Sequence, residues 1–388
     1  MSAALLLIPN VGGEEAPRAR PPPAVVTVSR LWCLLFPRAA RVLHEAAPAP
    51  WPEALGAPAE TPAFAWLGDA RGAVAWLNTP AAAASAAAEG RPLAGPAPEI
   101  VQAVHDKAFA QRSGEALGLE PAALRGLVAR FDPGELHDAD AALRAIERRL
   151  ADWPAWTQGR FTLKPRLGTS GRGRIGGTRG RVDAASLRAA LPRLARRGGA
   201  LLEPWLQRHA DFSVQLHVAS DGALTLLGIL EQQLSRAGAI RGHRGAIDPR
   251  LRVVAESRWD ERLVEAATAV ARAAHAEGFH GPCGVDAFCF EGPHGPELRP
   301  VVEFNARFTV GTVALGLLRR ARDCVTTRLG LAAGERLAFR FLLDAPREHR
   351  LGNDAGLLTI PLGREAETLR PALLVARDPA RLAAHLGT

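Results

Sequence analysis

The sequence predicts a mixed α/β (α+β) chain of several subdomains, and three observations carry that reading. Short apolar runs separated by proline-rich spacers occupy the first 95 or so residues, apolar residues at helical spacing fill the stretch from Pro98 to Leu150, and alternating strand-like runs punctuated by glycine turns take over from Gly159. A length of 388 residues fits two or three domains or one multi-lobed unit. A hydrophobic share of 47% against 23% charged is enough to fill a core, which excludes a wholly disordered chain.

The elements follow in order. Leu5 to Ile8, Val25 to Val28 and Ala63 to Trp66 are the apolar runs of a small N-terminal α/β lobe and read as strands. From Pro98, the spacing of Ile100, Val101, Val104 and Phe109 predicts helix, with Gly118 near its stop; further helices are expected over Glu120 to Phe131 and His137 to Leu150, parted by an Asp132-Pro133-Gly134 turn. Phe161 to Pro165 reads as a strand, Gly168 to Gly180 as a glycine-rich loop, Asp183 to Ala195 as a helix and Ala200 to Glu203 as a strand. Asp221-Gly222 between the runs Asp211 to Val218 and Ala223 to Leu234 is a hairpin signal. An amphipathic helix over Asp260 to Glu277, strands over Gly284 to Phe290 and Leu298 to Phe308, a helix beyond Gly311, short strands and a last helix, Pro379 to Leu386, complete the chain. The expected division is an N-terminal lobe over 1–95, a helical linker over 96–160, a subdomain with the glycine loop over 161–245 and a C-terminal subdomain over 246–388.

The formal charge of +8 comes from 46 arginines and two lysines against 40 acids. The arginines are spread among the acids, without the clustering and interleaved aromatics of a nucleic-acid surface, so a nucleic-acid partner is not expected. The two lysines, Lys107 and Lys164, are more informative, because a compact ammonium does what a planar guanidinium cannot. Four scattered cysteines, Cys33, Cys283, Cys289 and Cys324, fit buried thiols and neither a disulfide framework nor a paired zinc motif. No apolar run is long enough for a membrane helix and Met1 to Pro9 lacks the basic start of a signal peptide; the expectation is a cytoplasmic protein.

Three constellations carry chemistry. In Glu303-Phe304-Asn305-Ala306-Arg307, strand alternation sends Glu303, Asn305 and Arg307 to one face and Val302, Phe304 and Ala306 to the other. If this strand pairs with Gly284 to Phe290, Asp286 joins them, and two carboxylates with an amide oxygen suit Mg²⁺ bridged to phosphates. In the second constellation, strand residue Lys164 precedes Gly168, Gly171, Gly173, Gly176 and Gly177. An ammonium beside a flexible glycine loop can hold nucleotide phosphates, although such loops are also common as mobile surface segments. The third is Glu203-Pro204-Trp205-Leu206 followed by Asp211, a strand exit that can offer main-chain groups to a base and an acid to a ribose.

In this order, and with Lys107 on an earlier helix, the constellations resemble the ATP-grasp superfamily over about residues 95 to 320. The resemblance implies two antiparallel-rich α+β subdomains gripping ATP after a small N-terminal lobe. It places Lys107 and Lys164 on phosphates, Gly171 and Gly173 in the lid, Glu203, Trp205 and Leu206 around adenine, Asp211 on ribose, and Asp286, Glu303 and Asn305 on Mg²⁺, for which Mn²⁺ can substitute. An aspartate stands where members more often carry a glutamate at the ribose position.

What the resemblance implies for function is an ATP-dependent ligase that activates a small-molecule carboxylate as an acyl phosphate for an amine, with Lys164 and Arg307 as catalytic residues and a homodimer as a compatible assembly. A kinase on the same fold and a non-catalytic nucleotide-binding protein are the alternatives. The basic stretch Arg236, Arg241, His243 and Arg244 is either an anionic-substrate contact or an exposed basic loop. The histidines show no zinc-hydrolase spacing.

Overall fold

The computed structural model describes residues 5–14, 21–43, 51–52, 55, 60–168, 172–235, 238–248, 250, 252–330, 335–345, 356–363 and 368–386. In the N-terminal lobe, β1 (Leu6–Ile8) lies between β2 (Arg41–Val42) and β3 (Ala73–Ala75), parallel to both. The run Val25 to Val28, expected as a strand, belongs to helix α1 (Pro23–Cys33): proline at the first turn loses no helical hydrogen bond, and Val28, Leu31 and Trp32 recur at helical spacing on the buried side. Ala63 to Trp66 adds no strand either; Ala65–Asp69 is a 3₁₀ turn seated by Leu67. Helix α2 (Pro80–Ala88) is capped by Thr79, whose hydroxyl accepts from the Ala82 N–H at 3.1 Å.

Helices α3 (Pro98–His105) and α4 (Lys107–Ala116) are parted at Asp106, which turns extended and caps α4 by accepting from the Ala108 N–H at 2.8 Å. The break places Lys107 in the first turn of α4. The helix expected over Glu120 to Phe131 does not form. Pro121 and the positive φ of Gly126 (+77°) leave a single 3₁₀ turn at Ala122–Leu124 and then strand β4 (Ala129–Phe131). Helix α5 (Ala139–Ala151) follows as expected.

A four-stranded antiparallel sheet, in the order β4, β7, β5, β6, contains β5 (Arg160–Pro165), β6 (Ile175–Thr178) and β7 (Ala200–Pro204), with α6 (Ala184–Arg196) between the last two. Leu143, Ile146 and Leu150 of α5 and Leu187, Leu191 and Leu194 of α6 cover it in one core. The glycine stretch is therefore part strand: Gly176 and Gly177 pair with Thr162 and Phe161.

The second sheet is nine-stranded and antiparallel, in the order β13, β12, β8, β9, β10, β14, β16, β15, with β11 on β10. Its members are β8 (Arg208–Val218), β9 (Leu224–Leu234), β10 (Ile240–Ile247), β11 (Val253–Val254), β12 (Gly281–Gly292), β13 (Gly295–Asn305), β14 (Leu337–Leu342), β15 (Leu357–Pro361) and β16 (Ala372–Ala376). Helices α7 (Asp260–Ala276), α8 (Val310–Leu329) and α9 (Pro379–Leu386) accompany it. The hairpin at Asp221-Gly222 forms as the sequence predicts.

Two expectations change here. The basic stretch Arg241, His243, Arg244 is no loop but strand β10, hydrogen-bonded on both sides by β9 and β14; Arg236 lies outside the described residues. A boundary at 245 falls inside this sheet, because the β8–β9 hairpin pairs with β12; the sheets themselves part between Pro204 and Arg208.

Candidate functional site

A cleft of about 240 Å³ lies between the two sheets, and Val11, Gly12 and α1 of the N-terminal lobe also line it. The strands β12 and β13 pair as the sequence reading required, with Asp286 directly opposite Glu303 and Gly284 opposite Asn305. A register irregularity opposite Asp286 and Phe288 departs from simple alternation. It turns Val301 into the core with Phe304 and Ala306, and Val302 lines the cleft beside Glu303 instead of packing to the far face.

Both lysines reach this cleft. Lys107 and Lys164 are each only 8% exposed, and their ammonium groups stand 3.6 Å from opposite oxygens of Glu303. Lys164 also pairs with Glu203 at 2.7 Å. Burial lowers the Lys107 pKa, with Glu303 opposing the shift. Burial would raise Glu303, but Lys107 and Lys164 outweigh it and hold the carboxyl below its ordinary value. Lys107 Nζ donates to the Gly168 carbonyl at 2.6 Å, tying α4 to the start of the glycine loop. Arg197 spans that loop, donating to the carbonyls of Leu167 at 2.9 Å and Arg172 at 3.0 Å. Gly168, at φ +145°, has no room for a side chain, since a Cβ there would lie 1.6 Å from the Arg197 guanidinium.

Asp286 is held differently. Its carboxylate accepts from Ser213 Oγ at 2.7 Å, Gln232 Nε2 at 2.8 Å and Asn305 Nδ2 at 2.9 Å. Burial and the facing Glu303 raise it to about 6. Asp286 and Glu303 repel across one strand pair and form a hard-oxygen pair that a divalent cation relieves. Asn305 turns Nδ2 to Asp286 and Oδ1 to Arg307, so its oxygen joins them when the amide flips. The residues present therefore fit Mg²⁺. Among the described residues no group of three or more His, Cys, Asp or Glu side chains gathers as a metal cluster.

The remaining candidates divide. Glu203 is a buried ion-pair partner and not an open hinge acid: between Lys164 and Arg299, the latter at 2.8 Å, its pKa falls to about 2 although burial opposes this. Trp205 lines the cleft, with Arg174 at 4.3 Å and Arg208 at 5.3 Å from its ring. Leu206 lies beneath, packed with Phe288 and Phe290. Asp211 lines the cleft and pairs with Arg208 at 2.7 Å. Gly173 takes φ +81° against Arg197, away from the cleft lining, and Gly171 lies outside the described residues. Cys283 and Cys289 are core thiols.

Sequence reasoning missed Glu14 and Arg299. Glu14 follows the Gly12-Gly13 turn of the N-terminal lobe and pairs with Arg307 Nε at 2.7 Å and His105 Nε2 at 3.4 Å. Burial opposes its ionisation, yet Arg307 and His105 hold its carboxyl well below the usual range. Arg307 further donates to the Phe308 carbonyl at 2.9 Å and to Asn305 Oδ1 at 3.2 Å, which locks the end of the E-x-N-x-R series to the lobe. An acid far away in the chain leaves no local signal for this.

No protein-family model and no curated protein matches the sequence. Solved structures match over nearly its whole length. Biotin carboxylase from Campylobacter jejuni, in a β-γ-ATP complex, is 15% identical at a TM-score of 0.56, over 98% of this chain and 89% of that one. N5-carboxyaminoimidazole synthetase from Staphylococcus aureus, with ADP, is 12% identical at a TM-score of 0.56, over 99% and 97%. The biotin carboxylase domain of Hydrogenobacter thermophilus 2-oxoglutarate carboxylase, a dimer with MgADP, ADP and bicarbonate, is 14% identical at a TM-score of 0.54, over 99% and 89%. The chain has the ATP-grasp fold. At these identities the likeness extends to the fold alone.

Proposed function

We propose that this chain is an ATP- and Mg²⁺-dependent ligase that activates a small carboxylate as an acyl phosphate and passes the acyl group to an amine. The observation that carries the reading is the placement of both lysines of the chain on one acid, Glu303, which faces Asp286 across a strand pair. ATP-grasp neighbours that hold MgADP and bicarbonate, or ADP, support it.

Lys107 and Lys164 would neutralise the phosphate oxygens as the carboxylate oxygen attacks the γ-phosphorus and ADP leaves. Asp286, Glu303 and Asn305 would hold Mg²⁺, which offsets charge on the transferring phosphoryl group when bound. Trp205 would flank adenine and Asp211 would meet the ribose. Arg307, placed by Glu14, would hold the acyl phosphate until the amine attacks its carbonyl carbon and phosphate departs. Cytoplasmic ATP suits such a reaction; no helix among the described residues is long and apolar enough to cross a membrane. A homodimer, as in the Hydrogenobacter domain, belongs to the same proposal.

The test is incubation with Mg-ATP, bicarbonate or one carboxylic acid, and one amine at a time, followed by mass spectrometry. The expected products are ADP, free phosphate and a joined compound. AMP, or a stable phosphorylated acceptor made without a second substrate, overturns the ligase. Arg307→Ala should bind ADP within threefold of wild type yet lose the joined product, releasing ADP uncoupled from synthesis.

A further inference from the structure

A second cavity, of about 390 Å³, lies outside the nucleotide cleft, between β3 of the N-terminal lobe and the ends of β8 and β12. Its size falls within the range of small-ligand pockets, and its walls differ from those of the first. The floor is apolar and fully buried, with Trp76, Phe279 and Phe308 at 1–2% exposure. One side is an aromatic ladder: Phe64 stacks on Trp66 at 5.5 Å and 19°, and Trp66 on His217 at 4.3 Å and 13°. His217 ends the ladder, half-buried, as part of the cavity wall.

Two further features select the ligand. Burial, and then the neighbouring His280, bring the His217 pKa down to about 4, so its ring is neutral at pH 7 and can take a stacked partner without desolvating a charge. Asn78 is fixed by Nδ2, which donates to the carbonyls of Ala94 and Pro96, both at 2.9 Å, and this leaves Oδ1 as the acceptor for a ligand's N–H. Asp69 and Arg71 stand exposed among the lining residues.

We propose that this cavity binds a small planar heteroaromatic compound, stacked on His217 as the next rung of the Phe64–Trp66 ladder with its polar edge toward Asn78. Trp76 and Arg307 line both cavities, so the compound lies one layer of side chains from the nucleotide cleft. The site does not depend on the nucleotide reading.

Calorimetric titration with benzimidazole tests it, with cyclohexylamine as the non-planar control. Saturating MgADP keeps benzimidazole out of an adenine site. Saturable binding of benzimidazole but not of cyclohexylamine is expected, weakened at least tenfold in His217→Ala and kept within threefold in His217→Phe, which restores a ring. Absence of saturable binding to the folded wild type, or equal binding by His217→Ala, overturns the proposal. A crystal of the wild type soaked in benzimidazole decides independently of any variant: density stacked on His217 supports the site, and density elsewhere with this cavity empty refutes it.

Discussion

The two walls of the cleft between the sheets solve the burial of charge in opposite ways. Where α4, β5 and β7 face β13, charges are paired: Lys164 meets Glu203 and Glu303, Lys107 meets Glu303, and Arg299 closes the set by binding Glu203 and Glu120. On the wall built by β8, β9 and β12, Asp286 is surrounded by neutral donors, Ser213, Gln232 and Asn305, and is pushed toward protonation. The ion pairs hold Glu203 and Glu303 ionised, whereas an acid held by dipoles facing another acid still attracts a cation. In the proposed function the first wall would meet phosphate and the second would hold the metal.

Breaking the first wall should have the largest effect. Lys164→Ala removes the ammonium between Glu203 and Glu303 but leaves each a cation, Arg299 and Lys107 respectively. The fold should therefore survive while ADP affinity falls about a hundredfold, near 3 kcal/mol. Calorimetry on a variant with wild-type circular dichroism checks this, and unchanged affinity would detach Lys164 from the phosphates. Lys164→Arg should also be impaired, since a fork does not fill the place of a point charge.

Breaking the second wall should cost less and show in metal dependence. Asp286→Asn keeps the size but removes the charge and turns an amide N–H toward existing donors, Ser213 and Gln232 on one side or Asn305 on the other. We expect the Mg²⁺ concentration that half-saturates ADP binding to rise about thirtyfold, in the range usual for lost carboxylate support at metal sites, with metal-free ADP affinity nearly unchanged. An unaltered Mg²⁺ titration would remove Asp286 from the metal set.

How far these walls were legible in the sequence follows the range of the interactions. Lys164, Glu303 and Asn305 sit in short motifs whose period fixes their facing, and the β12–β13 pairing follows from two adjacent strand-like runs. Val302 was misassigned because one bulge, invisible in an alternating pattern, shifts the strand by its own length of irregularity. Val25 to Val28 fits strand and helix equally by its four β-branched and apolar residues, until Pro23 in the first turn and the later Leu31 and Trp32, buried with Val28 on one side, decide for helix. Glu14 and Arg299 were illegible, since their partners are brought together only by the docking of lobe and sheets.

The smallest effect sharpens the comparison from a neutral group. His243 lines the same cleft on β10, 1% exposed, between Gln232 of β9 and Phe341 of β14. Burial drives its pKa down to about 3. An unfolded chain would bind a proton at His243 near pH 6.5 while the folded protein does not, so stability from this residue is full above about pH 6.5 and falls as pH drops toward 3. At pH 5.5 the loss should be about 1.4 kcal/mol relative to pH 8. His243→Gln, which carries no titrating ring, should therefore lose less stability than wild type when denaturant unfolding is compared at pH 8 and pH 5.5. A variant whose acid loss equals that of the wild type would mean that His243 gains a proton in the folded state as easily as in the unfolded one, and that this part of the cleft is wetter than its packing implies.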